Sequence, residues 1–221
     1  MSIELNFSRR AALLALAAAP VALNLSSMPA WAQALPTSDG TVDMAELLAD
    51  NPLEDVFEGD ENAPVTIVEY ASMTCPHCAN FHINTLPTIK EKYIETGKVR
   101  LIMREFPFDP RSAAAFMLAR CAPNDAYFPM VDVLFKQMNS WARAENARAP
   151  LENIAKLAGF TQESFEACLT DQQLLNDVNS VRERGQTEFG VSATPTFFID
   201  GKKYAGALTV EQMSAIIDSL L

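Results

Sequence analysis

Cys75-Pro76-His77-Cys78 sets two thiols three positions apart, a spacing that suits a reversible disulfide or half of a metal site. At the start of a helix the second sulfur falls one turn after the first, within bonding reach. Pro76 fits the first helical position, where a missing N–H removes no hydrogen bond. Unpaired backbone N–H groups and the positive end of the helix dipole face a sulfur placed there, so thiolate is favoured over thiol. His77, beside that sulfur, can donate a hydrogen bond and as a cation adds charge stabilisation. The Cys75 pKa is therefore expected well below that of a free thiol. The other two cysteines, Cys121 and Cys168, stand singly and far apart. A structural disulfide worth about 2–4 kcal/mol is expected of them. One close pair plus two distant singletons is poor zinc-ligand spacing, so no metal site is expected.

Several elements must position the dithiol. Residues 65–71 are rich in β-branched and aromatic types and predict a strand before it. Residues 79–93 carry apolar side chains at Phe81, Leu86, Ile89 and Tyr93, a helical spacing, although Pro87 must bend or end that helix. His82 is expected on its surface. A second strand over 99–106 completes a βαβ unit. Residues 109–188 read as helical throughout, over 111–121, 125–141, 151–158 and 161–189, with Asn124 and Thr161 as N-caps and Gly159 as a stop. Phe116, Met117, Phe128, Met130, Phe135 and Met138 are expected as the core of that segment rather than a ligand box. Strand character returns at 195–199, turns at Asp200-Gly201, continues over 202–205 and ends in a helix over 210–221.

The segment 1–32 reads as a signal peptide: Arg9-Arg10, an apolar run, then Ala30-Trp31-Ala32, with cleavage expected after Ala32. Ser8-Arg9-Arg10 also resembles a twin-arginine signal. An even number of cysteines in an exported chain suits an oxidising compartment, where disulfides persist. The chain has 17 basic and 28 acidic residues, net −11; two of those arginines and one glutamate lie in the leader, which leaves −12 on the remainder. That charge excludes nucleic acid as a natural partner. Residues 33–62 predict an N-terminal arm with one short helix near 42–48, too short for a coiled-coil stalk, so a monomer is expected.

With these features in order, the chain resembles the periplasmic DsbA family of thioredoxin-like disulfide oxidoreductases. The match rests on the CPHC motif after a strand, the all-helical insert, and Ala193-Thr194-Pro195-Thr196-Phe197-Phe198, which looks like that fold's cis-proline loop. The resemblance implies an α/β thioredoxin fold over 63–108 and 189–221 with a helical insertion domain at 109–188. It implies Cys75 as exposed nucleophile, Cys78 as buried resolving partner, and Thr194-Pro195 as the substrate-pairing loop. Glu69, six residues before Cys75, matches a buried acid of the family, which desolvation would hold at a raised pKa for relaying the Cys78 proton. Thr194 departs from the valine usual in enterobacterial members and can alter redox poise. The implied activity is oxidation of reduced, newly exported proteins through a Cys75 mixed disulfide, with no cofactor beyond the Cys75–Cys78 disulfide. A membrane-bound oxidase partner would restore that disulfide. An isomerase or reductase of the same fold is the alternative, and a Cu(I)- or zinc-binding chaperone a more distant one.

Overall fold

The computed structural model describes residues 35–49 and 51–221; the expected signal peptide lies outside them. Its centre is a mixed six-stranded sheet ordered β1-β6-β5-β3-β4-β2, comprising Gly40–Thr41, Lys202–Ala205, Thr196–Ile199, Val65–Ala71, Val99–Glu105 and Val56–Glu58 respectively. Only β3 and β4 run parallel. Every residue of β3 is buried, as a central strand covered on both faces must be. The Asp200-Gly201 turn joins β5 to β6, Asp200 and Gly201 both taking positive φ (45° and 81°).

The arm does more than the one helix expected of it. Helix α1, Met44–Leu47, is capped by Asp43, but β1 and β2 also lie within 33–62 and extend the sheet at opposite edges. Asp55 then clamps the wholly buried Arg104 of β4 through two hydrogen bonds of 2.8 and 2.7 Å. A strand of two or three residues has no periodicity of its own; its pairing partner makes it a strand.

After β3 a continuous helical run begins with α2, Pro76–Asn80, passes through a π-helical turn at Phe81–Thr85, and continues as α3, Leu86–Ile89, and a second π-turn, Lys90–Ile94. Pro87 therefore does not end the helix. The π-turn just before it closes with the Leu86 N–H on the Phe81 carbonyl, five residues back, and the proline falls in the first turn of the next segment.

Beyond β4 come α4, Pro110–Arg120; α5, Tyr127–Lys136; α6, Met138–Trp141; α7, Arg148–Leu157; α8, Gln162–Thr170; and α9, Gln172–Thr187, with α10, Val210–Asp218, closing the chain. The expected helix over 161–189 is two: Asp171 takes extended backbone and accepts from the Leu174 N–H at 3.0 Å, starting a new helix. Thr161 caps α8 in a reciprocal box with Ser164, and Gly159 follows α7 with φ 94°. Asn124 is no cap. It sits at φ 57° in a short 3₁₀ turn, and α5 starts at Tyr127 without a side-chain cap. The sequence-singled Phe and Met side chains of α4–α6 are buried in one cluster, which also holds Trp141, Cys168, Cys78 and Met103, so this segment's core is continuous with the dithiol's. Cys121 and Cys168, 47 positions apart, are disulfide-bonded and tie α4's end to α8. The fold is a thioredoxin-like α/β fold with a helical insertion.

Candidate active site

Strand pairing brings the site together. Tyr70, near the end of β3, pairs with Thr196 at the start of β5, so the loop after β3 and the loop before β5 emerge at the same end of the sheet. The first carries Cys75 and the second carries Thr194-Pro195, whose peptide bond is cis. The two loops meet where the Cys75 thiol donates to the Thr194 carbonyl at 3.3 Å. Cys75 is partly exposed and Cys78 is buried; both are free thiols.

The nucleophile's loop is pinned from α4. Asp109, the N-cap of α4, accepts from the Arg111 and Ser112 N–H groups and, through its other oxygen, from the Thr74 hydroxyl at 2.5 Å. Ser112 accepts from the Met73 N–H at 2.9 Å and bonds the Ser72 hydroxyl at 3.0 Å. The Ser72 carbonyl in turn accepts from the Cys75 N–H at 3.0 Å. Asp109 followed by Pro110 is a legible helix start, but its reach back to Thr74 has no sequence signal.

Cys75 is the N-cap of α2, with extended backbone, and its sulfur lies over the helix start. Its pKa is lowered to about 5. The largest cause is the hydrogen bond from the Cys78 thiol, working against partial burial; the Thr194 side chain and the N–H groups of Cys78 and His77 add to it. The Thr194 hydroxyl is buried without a closer partner, so the thiolate is its natural acceptor. Cys78 is pushed the other way, well above the usual thiol value, by burial first, then by its bond to Cys75 and the nearby Glu69 charge. One sulfur is stable as thiolate and the other as thiol.

A family model described as thioredoxin matches residues 52–219. The crystal structure of Wolbachia pipientis alpha-DsbA1 matches with a TM-score of 0.75 at 34% identity, covering 80% of this chain and 96% of that one. The chain belongs to the DsbA family. A Rickettsia bellii protein named as a protein-disulfide oxidoreductase is 31% identical over 173 residues, and this DsbA-family chain spans only 64% of that relative's length.

The DsbA motif residues sit apart in role. The His77 side chain is exposed, and it is the residue's backbone N–H, not its imidazole, that is among the groups lowering the Cys75 pKa. Pro76 is exposed beside it at the first helical position. Glu69 is fully buried on β3, paired across the sheet with Met103 and Phe197.

His82 corrects the sequence reading. Expected on the helix surface, it is 4% exposed and its Nε2 lies 3.0 Å from Glu69 Oε2. The spacing had said so: His82 is four residues after Cys78 and four before Leu86, on the buried stripe, and its polar character outweighed that position. Among the described residues no three His, Cys, Asp or Glu side chains converge as a ligand set.

Proposed function

We propose that this chain is a thiol:disulfide oxidoreductase that donates a Cys75–Cys78 disulfide to reduced, newly exported proteins. The observation that carries the reading is the opposed bias of the two sulfurs, Cys75 accessible and lowered to about 5, Cys78 buried and raised. A substrate thiolate attacks Cys75 Sγ, the Cys75–Cys78 bond breaks, and the electron pair leaves on Cys78. A second substrate thiolate attacks its own mixed-disulfide sulfur and expels Cys75 as thiolate. The substrate loses two electrons and two protons; the protein keeps both electrons and one proton, on Cys78, while the other proton goes to solvent. Because a stable thiolate is a good leaving group, the second step runs toward substrate disulfide. The cis peptide before Pro195 presents backbone to an extended substrate segment beside Cys75.

The reaction belongs in the periplasm, after cleavage following Ala32, with a membrane-bound oxidase restoring the disulfide. The relative from Rickettsia, by its name, supports the reaction class. A monomeric oxidase is favoured over the isomerase or reductase because the arm such enzymes use to oligomerise is here occupied in its own sheet through β1 and β2. The test is oxidation of a fluorescent dithiol peptide by the oxidised chain lacking residues 1–32. Stoichiometric oxidation is expected, abolished by Cys75→Ala; activity surviving in that variant sinks the reading. A high-mass oligomer with strong refolding activity on scrambled disulfides reverses the order of oxidase and isomerase.

A further inference from the structure

The loop that carries Thr194-Pro195 is gripped at both ends by the β5–β6 hairpin. At its start, Lys203 of β6 extends its ammonium to the Phe189 carbonyl at 3.3 Å and to the Gly190 carbonyl. These two residues follow the end of α9, where carbonyls lack intrahelical donors and the helix dipole is negative, so a cation suits the place. Gly190 takes φ 61°, and a Cβ there would stand 3.4 Å from Lys203 Nζ; glycine leaves room for both the turn and the ammonium. At the loop's end, the Thr196 hydroxyl donates to the Ala193 carbonyl at 2.8 Å, and the Gly206 N–H donates to the Pro195 carbonyl at 2.8 Å.

The arm fixes β6 from its outer side. Asp39, just before β1, donates its N–H to the Lys203 carbonyl at 2.8 Å and accepts the Ala205 N–H on Oδ2 at 2.7 Å. Ala205 stands opposite Thr196, so this carboxylate lies at the end of the sheet from which the Thr194-Pro195 loop emerges. Val42 brackets the other end of β6, donating to the Gly201 carbonyl at 2.8 Å. Lys203 is thus tied to the arm through its backbone and to the loop through its side chain.

Resting on the oxidoreductase reading above, we propose that Asp39 and Lys203 are positioning residues for substrate, which set where the Thr194 backbone lies beside Cys75 and so how well an extended substrate segment pairs there. The N-terminal arm thereby takes part in substrate recognition without touching substrate. On the dithiol itself Lys203 acts through Thr194, whose carbonyl accepts from the Cys75 thiol at 3.3 Å and whose side chain helps to lower the Cys75 pKa.

The test uses the oxidised chain lacking residues 1–32 and its Lys203→Met, Lys203→Arg, Asp39→Ala and Asp39→Asn forms. For each, the rate constants for oxidation of the fluorescent dithiol peptide and of dithiothreitol are measured. Dithiothreitol reaches Cys75 without pairing to backbone, so its rate is the internal reference. A small misplacement of a positioned group is costly, and in Lys203→Met and Asp39→Ala the peptide rate should fall about 10-fold relative to dithiothreitol. Lys203→Arg keeps the donor and Asp39→Asn keeps the acceptor, so each should recover most of that loss. An unchanged peptide-to-dithiothreitol ratio in either Lys203→Met or Asp39→Ala overturns the assignment, as does an equal fall in both rates, which marks a general loss of structure. Should Lys203→Met fold poorly, Asp39→Ala, at an exposed position, decides alone. If the wild type leaves the peptide reduced, the donor reading falls, and loop placement is read from thiolate absorbance of the reduced form. Lys203→Met should then raise the Cys75 midpoint above about 5, and an unchanged midpoint overturns the proposal.

Discussion

Lowering the pH should destabilise the reduced protein through one sulfur. In the unfolded chain Cys75 has an ordinary thiol pKa near 9, whereas in the folded chain it is lowered to about 5. A depressed acid stabilises the fold in full above the unfolded value and contributes less as pH falls, vanishing below the folded value. At pH 7 the two values correspond at face value to about 3 kcal/mol, and at pH 4 to almost nothing. The sulfur is only partly buried, so solvent screening reduces the pH 7 figure to about 1–2 kcal/mol. The assay is urea unfolding of the reduced wild type and of Cys75→Ala from pH 8 to pH 4, taking the difference at each pH to cancel the other titrating groups. The difference should decline toward pH 5 and flatten below it. A flat difference, or one that grows on acidification, refutes the thiolate assignment, as does a thiolate absorbance midpoint at pH 8–9.

Replacing both Cys121 and Cys168 with alanine should lower stability by about 2–4 kcal/mol, the range for a loop of this length, read by urea midpoint in the absence of reductant. Asp55→Ala leaves the buried Arg104 guanidinium with only the Tyr70 hydroxyl at 3.0 Å and should cost about 3 kcal/mol in the same assay; a loss below about 1 kcal/mol would mean the arm is not clamped there. Thr194→Val removes a hydroxyl that helps the Cys75 thiolate and should raise its absorbance midpoint by less than about one unit, with the unfolding midpoint little changed.

What the sequence disclosed divides along physical lines. Strand β3 was readable to the residue because a central strand buried on both faces is written as a β-branched run. The dithiol and its helix-start field were readable because motif and geometry are local. Pro195 was not: an isolated X-Pro is usually trans, and only the resemblance pointed to cis. The arm's strands were hidden because β1 and β2 owe their existence to Lys202–Lys203 and Leu101–Met103, far along the chain. His82 was misplaced because residue type was weighed above helical position. The break at Asp171 was missed because apolar periodicity runs through it, while the capping side chain stops the helix.

The arm also imposes an order on biogenesis. Its strands come before all their partners in sequence: Phe57 pairs with Ile102, but Gly40 must wait for Lys203. A chain emerging from its N-terminal side can thus seal one margin of the sheet early, whereas the other stays open until the final hairpin exists. Such late, distant pairing slows closure and leaves an unpaired margin exposed to other chains in the meantime. Residues 39–41 are in effect the clasp of the molecule, and limited proteolysis near them would distinguish finished molecules from those still lacking the hairpin.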